Sequence, residues 1–312
     1  MNTGLPKAHD FDIAVVGDLN VDLVLCGDVT PAFGQTEKLV DEATLTMGSS
    51  SAIFACGAAR LGMRVASIGK IGDDEFGRFM LREMSGRGLD TAGVVIDPML
   101  KTGVGVILSR PEDRAILTYL GSLAALSYAD IDFSILERSR HLHIGAYFLL
   151  NALQPDVAAL FRKARAAGLT VSLDTNYDPS GKWNSHVSKA LEAADIFLPN
   201  ETEACAITGS SDPMAALNIL AEHVPIVAVK LGPRGAAARW GREVVESAPP
   251  SIPVVDTTGA GDSFDAGFIY GYLKGWDLPA MLRFACICGA LSTRAAGGTA
   301  AQATLSEALA LM

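Results

Sequence analysis

Six short apolar runs break off at small or polar residues: IAVVGDLN, VASIGKIGDD, HLHIGAYF, LTVSLDTN, ADIFLPNETE and PIVAVKLGPRG. Runs this short and apolar suit strands buried on both faces, which is how parallel strands read. Between them the spacing predicts helices over 51–61, 75–85, 156–167, 201–207 and 213–222. Strands alternating with helices imply a three-layer α/β/α sandwich around a mainly parallel sheet, and little else. The last third turns helical, with 260–274 and 279–295 as the long pieces.

Two stretches interrupt the rhythm, 21–47 and 94–120. Both alternate like strands, lack helices, and leave from the ends of early strands, with residues 110–113 reading as a hairpin tip. They are expected to form a small β-sheet lid over the end of the main sheet where ligands bind. No linker or repeat divides the chain, so 1–312 reads as one domain.

The chain is 49% hydrophobic and 19% charged over 312 residues, enough for a sizeable core. Its apolar runs are too short for a membrane span. The N-terminal MNTGLPKAHDFDIAVVG lacks the charged and apolar regions of an export signal. Five scattered cysteines suggest neither a disulfide framework nor a zinc site, so a cytoplasmic protein is expected. A net charge of −10 without a Lys/Arg cluster argues against nucleic-acid and membrane partners. An anionic ligand would need a local site.

Polar clusters at the strand ends offer one: 17–22, 47–51, 174–176, 200–203, 230–235 and 256–262. Each alone is what helix caps and turns require. Their recurrence at successive strand ends favours a shared site. In DTTGAGDSF, Gly259, Ala260 and Gly261 precede a helix. A dinucleotide fingerprint would need Gly or Ala at Phe264, and no Walker loop or protein-kinase set occurs. What remains is an anion hole, with small-residue amides opening at a helix N-terminus. Asp262 beside it cannot bind an anion, but it can take a proton from an attacking hydroxyl.

On these residues the chain resembles the ribokinase-type (PfkB-type) carbohydrate kinases. DTTGAGDSFDAG carries the family's most specific motif, and GDLNVD, IGKIGDDEFG, LPNETE and VKLGPRG match in order. The resemblance implies a ribokinase-like sandwich, a β lid that often forms a homodimer contact, and transfer of the γ-phosphoryl of ATP to an alcohol. It makes Asp262 the base and Gly259, Ala260 and Gly261 the anion hole. Asn200 and Glu203 would organise Mg²⁺ through its waters. Lys230, Gly232, Gly235, Asn200 and Thr258 would meet the nucleotide, and Asn20, Asp22, Gly48, Ser49 and Ile53 the acceptor. Asp256, with backbone near 295–299, would help hold K⁺ where a member uses it.

Four positions depart from the pattern. Ser49 replaces the second of two glycines, Ile53 replaces an Asn, Cys286 stands where Asn is frequent near the adenine pocket, and Asp178 replaces an Arg, which argues against a sugar-phosphate acceptor. A sugar or polyol is the expected acceptor and a nucleoside the alternative. A catalytically silent sugar-binding or regulatory protein on the same fold is the alternative from another class. His141 and His143 on one strand face read as structural or pocket-lining. Cys286 and Cys288 read as packing. Tyr147 and Phe148 are candidates for a pocket wall or equally for core aromatics, and Asp73, Asp74 and Glu75 for a helix cap.

Overall fold

The computed structural model describes residues 9–110, 113–183 and 186–312. Among the described residues, thirteen strands fall into two sheets. In chain order they are β1 (Phe11–Val16), β2 (Asn20–Cys26), β3 (Glu42–Met47), β4 (Val65–Gly72) and β5 (Asp90–Asp97). Then come β6 (Gly103–Ser109), β7 (Arg114–Tyr119), β8 (Ser139–Ile144), β9 (Thr170–Leu173) and β10 (Ile196–Phe197). The last are β11 (Ile226–Lys230), β12 (Ala236–Trp240) and β13 (Glu243–Ser247).

The helices are α1 (Ser50–Arg60), α2 (Glu75–Gly86), α3 (Phe133–Leu136), α4 (Val157–Ala166) and α5 (Val187–Ala193). They continue with α6 (Glu201–Thr208), α7 (Pro213–Leu220), α8 (Ala260–Leu273), α9 (Leu278–Ser292) and α10 (Leu305–Leu309). Among the described residues, no helix is long and apolar enough to cross a membrane.

The large sheet runs β13-β12-β11-β10-β9-β8-β1-β4-β5, parallel except where β12 pairs antiparallel with β11 and β13. Successive residues of β1 serve opposite faces. Ile13 and Val15 join a core with Phe54, Met80, Phe268 and Met281, drawn from α1, α2, α8 and α9. Ala14 and Val16 join the opposite core, with Leu160, Phe161, Leu191 and Leu217 from α4, α5 and α7. Apolar residues facing both ways make each strand read as an unbroken run.

The small sheet runs β3-β2-β6-β7. The lid expected over 94–120 is corrected at its start: 94–97 belong to β5, which pairs parallel with β4 at the edge of the large sheet. An edge strand is half exposed, so its alternation resembles that of a lid strand. The small sheet resumes only at Gly103. At the hairpin tip, the Arg110 amide donates to Asp113 O at 2.9 Å, while residues 111–112 lie outside the described residues. Asp74 caps α2, accepting from the Gly77 amide, as the sequence suggested.

Candidate active site

A cleft of about 780 Å³ opens where the large sheet's strands end. Nine of the expected residues line it: Gly259, Ala260, Gly261 and Asp262, then Asn200 and Glu203, then Lys230, Gly232 and Gly235. Part of its lining is apolar, with Pro249, Pro250, Ile252, Phe264 and Ala290. The cleft therefore offers both apolar surface for a flat aromatic group and polar groups for charge.

The floor is the start of α8. Gly259 caps it at φ 71°, a left-handed conformation that favours glycine, and no side chain caps this helix. A Cβ on Gly259 would stand 2.7 Å from Gly298 Cα and 2.9 Å from Ile53 Cγ2, so space and backbone both demand glycine. The Ala260 amide donates to Thr257 O at 3.2 Å, which takes one of the expected anion-hole donors into the turn. The first intrahelical bond runs from the Ser263 amide to Gly259 O. Helix geometry leaves the Gly261 and Asp262 amides without a carbonyl in their own helix, at the positive end of its dipole.

Asp262, in the first turn, is half-buried: protein rings its carboxyl, but one side opens on the cleft. Burial, with the Asp174 charge beside it, raises its pKa to about 7, against the opposing pull of Ser50 and Lys230. The Ser50 hydroxyl, from the first turn of α1, donates to Asp262 Oδ1. Ser50 lies in the expected 47–51 cluster but was given no role of its own. Its only sequence signal was its place beside Gly48 and Ser49.

α1 is held in place from β1. Asp18, buried just past that strand, accepts from the amides of Ser50 and Ser51 at 3.1 and 3.0 Å. Ser49 caps the helix, its hydroxyl accepting from the Ala52 amide at 2.8 Å and donating to Asp18 O. Its φ is 72°, so the chain keeps a glycine-like backbone at the position where the resemblance led one to expect glycine. Asn20 Nδ2 donates to Asp22 Oδ1 at 3.0 Å, and both side chains press on Gly48, where a Cβ would be 2.4 Å from that Asp22 oxygen. Burial and the neighbouring Asp18 raise Asp22 to about 7, with Arg114 opposing. Asn20, Asp22 and Gly48 form a second polar group beside the cleft, joined to it through Asp18, Ser49 and Ser50.

Several expected residues sit elsewhere. Ile53 is buried against Gly259 and Gly298 and does not face the cleft, because α1 turns it beneath the glycine turn. Thr258 does not line the cleft either: its hydroxyl donates to Asp256 Oδ1 and accepts from Arg114 Nη1, both at 2.8 Å. Asp256 also accepts from the Thr258 and Gly297 amides, and Arg114 Nη1 lies 3.9 Å away, so the chain itself meets the charge proposed for K⁺. Arg114 begins β7 and lines the cleft, so a strand of the small sheet already reaches the turn before α8.

Asn200 and Glu203 form a capping box on α6. Glu203 accepts from the Asn200 amide, and Asn200 Oδ1 from the Glu203 amide, each at 3.0 Å. Burial, then the Asp174 charge, raises Glu203 to about 7. Each oxygen of the pair keeps a lone pair, so it can still accept from a metal-bound water at the cleft wall. Lys230 lines the cleft, but its ammonium is already engaged, 2.6 Å from Asp174 Oδ2 and 3.0 Å from Asp265 Oδ1. Asp178 turns inward and accepts from the Ser180, Lys182 and Trp183 amides of its own loop. His141 and His143 share the Ser172 hydroxyl inside the sheet, and Tyr147 and Phe148 lie in the core, so neither pair faces the cleft.

Residues 10–305 match the model of the pfkB family of carbohydrate kinases. An uncharacterised sugar kinase of Archaeoglobus fulgidus is 34% identical over 71% of this chain and 88% of its own. A 5-dehydro-2-deoxygluconokinase of Geobacillus thermodenitrificans is 30% identical over 95% of this chain and 91% of its own. The crystal structure of a putative ribokinase II from E. coli with ATP and Mg²⁺ superposes with a TM-score of 0.85. It is 24% identical and covers 96% of this chain and 98% of that one. The ribokinase-like fold is thereby shown.

Proposed function

The chain belongs to the pfkB family of carbohydrate kinases, and from that premise we propose that it moves the γ-phosphoryl of ATP to a hydroxyl of a sugar or polyol, with Asp262 as base. As an ATP-dependent carbohydrate kinase it has two tasks, to deprotonate an alcohol and to hold the charge of the transferring group. The observation that carries the reading is Asp262 itself: a half-buried carboxyl raised to about 7, in the first turn of a helix with no side-chain cap, at the floor of the cleft.

Asp262 takes the acceptor's hydroxyl proton as that oxygen approaches the γ-phosphorus. The Ser50 hydroxyl fixes one carboxylate oxygen, leaving the other to face the acceptor. The Gly261 and Asp262 amides and the α8 dipole receive charge that develops on the phosphoryl oxygens, a term worth more in a dry site than in water. The apolar wall at Pro249, Pro250 and Ile252 suits the base of the nucleotide. When bound, Mg–ATP supplies the phosphoryl group and further positive charge, and Asn200 and Glu203 would hold the metal's waters. Asn20 and Asp22, on the lid strand β2, would hold acceptor hydroxyls. Lid closure would keep water from competing as acceptor.

An ADP-release screen with Mg–ATP over sugars, sugar acids, polyols and nucleosides tests this reading. ADP is expected with a sugar, a sugar acid or a polyol. ADP only with nucleosides would make this a nucleoside kinase. Sugar binding with no ADP from any acceptor would favour the silent protein.

A further inference from the structure

Lys230 ends β11 and points beneath the start of α8. Its Nζ is 2.6 Å from Asp174 Oδ2 and 3.0 and 3.1 Å from the two carboxylate oxygens of Asp265. The three side chains are 13%, 7% and 1% exposed for Lys230, Asp174 and Asp265. Asp265 lies one turn beyond Asp262 on the same face of α8. A Cβ placed on Gly261 would be 3.5 Å from Lys230 Nζ, so the ammonium lies directly under the glycine turn. One carboxylate oxygen from each of Asp174, Asp262 and Asp265 lies within 4.8 Å of the other two.

A lysine that binds a nucleotide keeps its ammonium free for phosphate. This one is held by two carboxylates in a buried place. We propose that Lys230 acts through this cluster on Asp262 and not on the nucleotide, as a positioning residue that offsets the charge of Asp174. The proposal rests on Asp262 being the base.

The groups that act on Asp262 come from every side: Asp18 after β1, Ser50 on α1, Asp174 after β9 and Lys230 on β11. Glu203 on α6 and Asp265 on its own helix add to them. Lys230 is the one cation in this set, against four carboxyl groups. Burial opposes the charge on Lys230, yet the Asp174, Asp265 and Glu203 carboxylates hold its pKa above the usual lysine range. Burial likewise opposes the charge on Asp174, and the Lys230 ammonium outweighs it, which keeps Asp174 ionised. Burial raises Asp265 above the usual carboxylate range, and the Lys230 ammonium opposes it. Without the ammonium, Asp262 would have to ionise beside an uncompensated Asp174 charge, and it would hold its proton to higher pH.

The test is the pH dependence of kcat/KM for the acceptor at saturating Mg–ATP, with KM for ATP measured alongside. Lys230→Met is expected to move the acid limb up by about 1 pH unit or more, a loss of about fivefold or more at pH 7 and about tenfold or more further down the limb, shrinking at higher pH. Lys230→Arg should keep the wild-type limb. Asp174→Asn should move it down. Lys230→Met with Asp174→Asn removes one charge of each sign and should bring the limb back toward wild type. Should Lys230→Met fail to fold, Asp174→Asn and the double variant carry the same test. A rise of about tenfold or more in KM for ATP with an unmoved limb would overturn the proposal. Failure of the base reading would look different: Asp262→Asn would itself remain active.

Discussion

Asp262→Asn is expected to lower kcat by about 10²- to 10⁴-fold, the range general-base catalysis supplies, with the fold intact. Asn keeps the shape of Asp, and its carbonyl can still accept the Ser50 hydroxyl that now reaches Asp262 Oδ1. What it cannot do is take a proton. Stability should hold or rise slightly, because the half-buried wild-type carboxylate lies beside Asp174 and Asp18, which raise its pKa together with desolvation. KM for ATP should change little, since the amides and the apolar wall are untouched. ADP release under saturating substrates, with a denaturation midpoint, checks both halves. A folded variant with kcat close to wild type would remove Asp262 from the chemistry.

The second large effect is expected at Gly259→Ala, and it should be structural and catalytic at once. The residue sits at φ 71°, where a Cβ is strained by about 1–2 kcal/mol. That Cβ would also fall 2.7 Å from Gly298 Cα and 2.9 Å from Gly298 O. Backbone cannot retreat as a flexible side-chain end can. The turn must shift, carrying the Gly261 and Asp262 amides off their line. Loss of one such donor typically costs about 10²- to 10³-fold in kcat. We therefore expect a lower denaturation midpoint together with a kcat loss of that size. A variant with lowered stability but undiminished kcat would mean that the turn supports the fold and not the transfer.

Both effects involve residues that the sequence could reveal, because they lie close together in one motif. Gly259, Gly261 and Asp262 are neighbours in the chain, and the helix that follows fixes their relation. The other contacts of the site join distant segments. Ser50 reaches Asp262 across 212 positions and Arg114 reaches Thr258 across 144, and no local pattern predicts either meeting. Lys230 was readable as a cleft residue, but its engagement needed Asp174 and Asp265, which come from two other elements. Ile53 looked like a pocket residue by position, yet one helical turn beyond the Ser49 cap carries it under the glycines.

The fold was readable to a similar depth. The buried strands β1, β4 and β11 announced themselves through runs rich in Val and Ile bounded by turns. β12 and β13 did not: AAARW has low strand propensity, and its pairing with β11 and β13 is set by the sheet rather than by composition. α5 is short and follows a loop with few helical signals, and it was also unforeseen. The mistaken lid boundary at 94 has the same origin, since an edge strand's pattern does not say which sheet it joins.

The claim that Asp262 removes the acceptor's proton is tested most directly by the pH profile of kcat/KM for the acceptor, from about pH 5 to 9 at saturating Mg–ATP. The carboxyl must be ionised to act, and burial places its pKa at about 7. The wild-type rate should fall by about tenfold for each pH unit below that point, and the residual rate of Asp262→Asn should lack that limb. A wild-type profile that stays flat down to pH 5, with the protein still folded, would contradict the account.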